Sequence, residues 1–204
     1  WREEQEWPLA RAVVTPYYLP GYGALSTAEP EAGAAPRHVT FDPAHPVPYR
    51  RRPIQLTYDP RGSDWSAWQG EAQRLVHHRP DVLSWETEPL AADLTIAGDV
   101  AAKLFASTTG EDADWVVKLV DVFPDDAMDP SPNPARVRMG GYQALVRGEP
   151  FRGKFRTEFA SPQPFVPGRA TPVRFTMPDV NHTFGKGHRL MVQIQSSWFP
   201  LTDR

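Results

Sequence analysis

From residue 81 onward, short runs of β-branched, aromatic and aliphatic residues return every ten to fifteen positions, separated by turn-forming residues. The runs are VLSWE, DLTIAG, AKLFAST, WVVKLVDVF, YQALVRG, KFRTEF, TPVRFTM and HRLMVQIQS. The run at 115–123 places Trp115, Val117 and Leu119 on one face and Val116, Val120 and Val122 on the other. A strand covered on both sides requires that pattern. In HRLMVQIQS, Leu190, Val192 and Ile194 alternate with Met191, Gln193 and Gln195, which predicts one buried face and one partly wet face. DDAMDPSPNP (125–134) interrupts the pattern with three prolines in five positions and reads as a long loop.

Residues 1–80 differ. They hold eleven prolines and only brief apolar bursts, Val13-Val14 and Tyr17-Tyr18-Leu19, which read as isolated edge strands. AEPEAGAAP (28–36) reads as a surface loop. Eight or nine short strands without a helical stretch predict an all-β, two-sheet antiparallel sandwich with long proline-rich loops, and strands that skip between sheets would make it a jelly roll. The expected organisation is a single domain over 1–204, with a loop-rich lead-in (1–80) and a strand-rich core (81–204).

Composition narrows the function. The chain has 23 prolines against 14 glycines, a formal net charge of −3 and 40% hydrophobic residues. That charge argues against a nucleic-acid binder, which needs a basic face to displace counterions. With no cysteine there is no disulfide, thiolate metal site or cysteine nucleophile. No run approaches the ~18 apolar residues that span a bilayer, so no membrane partner is expected. Eighteen arginines against four lysines point to a high-GC bacterial gene and leave cytoplasm or periplasm open.

Candidate chemistry is sparse. No G-x-S-x-G elbow is present, and Ser63, Ser196 and Ser197 lack its surroundings. Adjacent His77 and His78 would point apart on an extended segment, whereas His182 and His188 flank a Gly-containing corner where they could face each other. Loop-satisfying polar roles are favoured over a metal site for these histidines. Asp112, Asp114, Asp125, Asp126 and Asp129 could offer oxygen ligands but follow no calcium-loop pattern. Trp65 and Trp68 lie three apart in GSDWSAWQG, where exposed rings could stack on sugar or cover a domain contact.

The segments RPDVLSWETEPL (79–90), LTIAGDVAAKLFASTTGEDADWVVKLVDVFPD (94–125), GGYQALVRGEPFRGKFR (140–156) and MPDVNHTFGKGHRLMVQIQSSWFPLTDR (177–204) resemble the C-terminal domain of the CocE/NonD serine hydrolases. That group includes the X-Pro dipeptidyl-peptidases, and the wording is most similar to the α-amino-acid ester hydrolases. WREEQEWPL, YYLPGYGALS and FDPAHPVP match more loosely.

The resemblance implies a jelly roll that packs on an α/β-hydrolase domain of the same polypeptide and shapes its active-site cleft. It also implies an ester or amide substrate in the complete enzyme, with the catalytic serine, aspartate and histidine in a domain ahead of Trp1. No catalytic, cofactor or metal residue is therefore assigned here, and no cofactor is expected. Trp1, Trp7, Trp65 and Trp68 are the candidates for the cleft rim or domain interface. Within that reading, the loop at 49–70 is expected to rim the cleft. Homo-oligomerisation stays open, and the alternative is a free-standing carbohydrate-binding module. Family members continue past the FPLTDR-like motif with a further strand, so an open sheet edge is expected.

Overall fold

The computed structural model describes residues 3–21, 23–54, 60 and 70–203. Among these, six strands carry the fold: β1 (Val82–Glu86), β2 (Leu94–Ala106), β3 (Asp114–Val122), β4 (Gln143–Arg152), β5 (Thr171–Phe184) and β6 (Arg189–Gln195). One short helix, α1 (Arg74–His77), precedes them. The strands form two antiparallel sheets, one ordered β1-β6-β3-β4 and the other a β2-β5 ribbon. The chain changes sheet at four of its five strand connections, the alternation expected of a jelly roll.

Several elements depart from the periodicity. DLTIAG and AKLFAST are one strand rather than two, because Gly98 at φ +109° lets β2 carry a bulge between Gly98 and Val100 and still pair with β5 on either side. β5 likewise runs seven residues past TPVRFTM to Phe184. It contains Pro172 and Pro178, which are tolerated because each strand of a two-stranded ribbon keeps a free edge. KFRTEF has strand-like alternation, yet Gly153–Phe155 is a 3-10 turn. Arg156 closes this loop by donating to the carbonyls of Gly153, Gln163 and Pro164. Val13 and Val14 form no strand, and of the second burst only Tyr18 makes a bridge, to Ser26.

The two faces of β3 organise the packing. Trp115, Val117 and Leu119 point between the sheets, meeting Trp85, Leu190 and Ile194 from their own sheet and Val173, Met177 and Phe184 from the ribbon. Val116, Lys118, Val120 and Val122 point to the opposite face. That face is also buried, beneath α1, the segment around Val47 and Trp198. Here Ser197 Oγ accepts from Val47 N at 2.9 Å, and the Phe199 amide donates to Val47 O. The lead-in is thus part of the fold, because it closes a face that the ribbon cannot reach.

Candidate functional site

A two-stranded ribbon is too narrow to cover a four-stranded sheet, and the shortfall leaves a cleft of about 2870 Å³. One wall is the edge of β2 that takes no strand partner among the described residues, and the opposite wall is the lead-in segment, including Tyr17 and Phe41. Its floor is the inner sheet face, with Leu83, Leu119 and Val192.

Trp7 stands at the rim of this cleft and is the only one of the four tryptophan candidates within the described residues. Trp1, Trp65 and Trp68, and with them most of the proposed rim loop, lie outside those residues. The Trp7 indole N–H donates to Asp179 Oδ2 on β5, while Arg147 donates to the Asp179 carbonyl. Asp99, at the β2 bulge, shares a hydrogen bond with Asp179. That bond and the neighbouring negative charge hold the Asp99 carboxyl above its usual range, whereas the Trp7 indole first, and then Asp99, hold Asp179 below it. The lead-in is thereby tied to the β2 bulge.

His182 and His188 are brought together, though by a partner that sequence spacing did not reveal. His182 Nε2 lies 2.9 Å from Asp121 Oδ2, and His188 Nδ1 lies 2.7 Å from Asp121 Oδ1. Because a carboxylate only accepts, each ring nitrogen is the donor. Asp121 is 2% exposed, so its two oxygens are consumed in tying β3 to β5 and to the β5–β6 turn. The arrangement can clamp the two sheets, and its oxygens face imidazoles rather than a nucleophile. His77 and His78 do not point apart: their rings stack at 4.4 Å because His77 ends α1 instead of lying in an extended segment.

Three of the five acidic candidates are engaged locally. Asp112 pairs with Lys154 and Asp114 with Arg152, and Asp129 Oδ1 accepts from the Met139 amide. Burial, the largest influence, raises the Asp114 carboxyl despite Arg152. Among the described residues no group of three or more histidines and acids is arranged to hold a metal.

Two residues escaped the sequence reading altogether. Lys118 and Asp121 are the fully buried charges of β3, a nine-residue strand buried on both faces whose third charged residue, Asp114, stands half-buried at its start. The available signal was that a charge in such a strand must find a partner or shed its charge.

The sheets and their shared core define an antiparallel β-sandwich domain in which Ser197, His182 and His188 are committed to structural contacts. The chain belongs to the X-Pro dipeptidyl-peptidase C-terminal non-catalytic domain family, whose profile matches residues 1–204. Among curated proteins it is similar to cocaine esterase of Rhodococcus sp. (strain MB1 Bresler), at 34% identity over 213 residues. That match takes in all of this chain and 33% of the esterase. Among solved structures it is similar to an aminopeptidase from a marine sediment Thaumarchaeota archaeon, with 45% identity and a TM-score of 0.89 over 100% of this chain and 32% of that one. It is also similar to an α-amino acid ester hydrolase, with 44% identity and a TM-score of 0.82 over 93% of this chain and 30% of that one. The chain therefore spans about a third of the length of these relatives. The resemblance to CocE/NonD hydrolases stands, and so does the two-sheet fold.

Proposed function

We propose that this domain serves a larger serine hydrolase acting on ester or amide bonds, packing on its α/β-hydrolase domain and shaping one wall of the active-site cleft. The observation that carries the reading is the family match over all of 1–204, within relatives three times as long. Exposed apolar surface supports it. Val13 and Val14 are 81% and 97% exposed and Trp7 is 45% exposed, and Phe41 and Ile54 add to the same lead-in segment. Exposed apolar side chains on the lead-in are candidates for a contact surface. In this reading the lead-in faces the hydrolase domain and the loop at 49–70, with Trp65 and Trp68, rims the cleft.

Two measurements test it. The complete protein should hydrolyse a panel of chromogenic amino-acid esters, and this chain alone should be inactive on all of them; turnover by the isolated chain overturns the reading. Trp65→Ala with Trp68→Ala in the complete protein should shift kcat/KM among those esters by about tenfold, roughly 1.4 kcal/mol of discrimination, with little change in melting temperature. Unchanged kinetics with a lowered melting temperature would leave the tryptophans a purely structural role.

A further inference from the structure

Across the outer face of the four-stranded sheet, Ser84, Gln193, Lys118 and Gly148 stand directly opposite one another on β1, β6, β3 and β4. Lys118 and Gln193 are fully buried and Gln195 is 1% exposed. The Lys118 ammonium offers three protons, and Gln73 Oε1 at 3.0 Å takes one. Among the described residues it also meets the face of Trp198, with Nζ 4.9 Å from the ring centroid, and no carboxylate pairs with it. On the same side of the sheet, Ser84 Oγ, Gln193 Oε1, Gln195 Oε1 and Trp198 Nε1 are buried without a partner among the described residues. Native interiors leave few polar atoms in that condition, and several on one face, beside a lysine with unmatched donors, indicate a built site.

The orphaned atoms define what would fill it. An anion would suit Lys118 and the Trp198 indole but would meet the oxygens of Gln193 and Gln195. A cation would suit those oxygens and be repelled by the ammonium. Water both donates and accepts, and a buried water typically makes about three hydrogen bonds to otherwise unsatisfied groups. Gly148 lets the indole settle over the lysine, because a Cβ there would lie 2.6 Å from Trp198 Cη2.

We propose that the outer face of the sheet holds an internal hydration site, a small cluster of ordered waters that links the Lys118 amine to the side chains of Gln193, Gln195 and Ser84 and to the Trp198 indole. The waters solvate the lysine while Gln73 holds it, so α1 and the Trp198 segment are anchored to β3 through one hydrated amine. Burial without a carboxylate also lowers the lysine to about 7, which makes a neutral amine, both donor and acceptor, available to the cluster near neutrality.

The test is a crystal structure of the complete protein at a resolution that orders internal water, together with one of Lys118→Met. The expected result is two or more waters in the native site, at least one of them within about 3.2 Å of Nζ, and loss of that water in the variant. A dry native site, with Nζ bonded only to side chains and the glutamine amides turned over to satisfy each other, overturns the proposal. So does an unchanged set of waters in Lys118→Met. If the variant fails to fold, the native structure alone decides.

Discussion

The two faces of β3 each bury one charged side chain, and they treat it in opposite ways. Towards the ribbon, Asp121 receives a hydrogen bond on each oxygen, from His182 and His188. Towards the outer cover, Lys118 meets one amide oxygen and the face of an indole. Burying a charge is tolerated when its hydrogen-bonding capacity is met and becomes a liability when it is not. The inner charge therefore joins elements, whereas the outer one weighs against the folded state unless it is solvated or neutral. Equal burial does not mean equal contribution.

The sharpest way to break the comparison is to delete the inner charge. Asp121→Ala strands two imidazoles and unties β3 from β5, and should cost about 3–5 kcal/mol of stability, the range seen when one partner of a buried pair is removed. The midpoint of urea unfolding measures it, and a loss below about 1 kcal/mol would mean that the clamp contributes little. Asp121→Asn keeps the shape and one acceptor, so it should recover part of the loss.

Glycines at close approaches probe the two faces at smaller scale. A Cβ at Gly153 would lie 2.3 Å from Trp115 Cζ3 and 2.7 Å from both the Ala113 carbonyl oxygen and Phe165 Cε2. A Cβ at Gly148 meets chiefly the edge of Trp198. Both substitutions overpack, at about 1–3 kcal/mol, and Gly153→Ala should sit at the upper end because backbone as well as rings must shift. Thermal unfolding of the two variants checks the order; the reverse order would show the outer face to be the more rigid.

The last effect has the opposite sign. Burial lowers Lys118 from its ordinary 10.5 to about 7. Below pH 7 the lysine is charged whether folded or unfolded, and the burial penalty is fully present. Between pH 7 and 10.5 the unfolded chain holds a proton that the folded chain has shed, so stability rises with pH. Lys118→Met should therefore flatten the rise of the unfolding midpoint between pH 7.5 and 9.5. Tyr49 and Tyr142, raised mainly by burial, stay outside that window because they ionise above 10. A native protein with no such rise would show that the ammonium is satisfied as it stands.

Much of the architecture was legible before any coordinates. Runs of period two, turn residues between them and the doubly apolar 115–123 segment give the sandwich and its central strand. The misreadings have physical causes. Gly98 reads as a strand end because its backbone freedom is visible in the sequence, whereas the continuous pairing of β2 with β5 across the bulge is not. KFRTEF alternates like a strand, but Arg156 satisfies three carbonyls locally and no strand takes it as a partner. The candidate site was less legible. Trp7 stood out by type, yet its partner Asp179 is 172 positions away.

The sequence alone determined the all-β class, the exclusion of cysteine chemistry and, through long ordered motifs, the family. These depend on residue type and local spacing, which survive without knowledge of contacts. The tertiary structure decided that Asp121 gathers both histidines, that Lys118 lies in a polar site on the outer face, and that the lead-in closes a sheet. Those outcomes rest on pairs separated by 61, 67 and 150 positions, which are set by strand register and sheet order. Register fixes which charge meets which partner, and no local pattern encodes it.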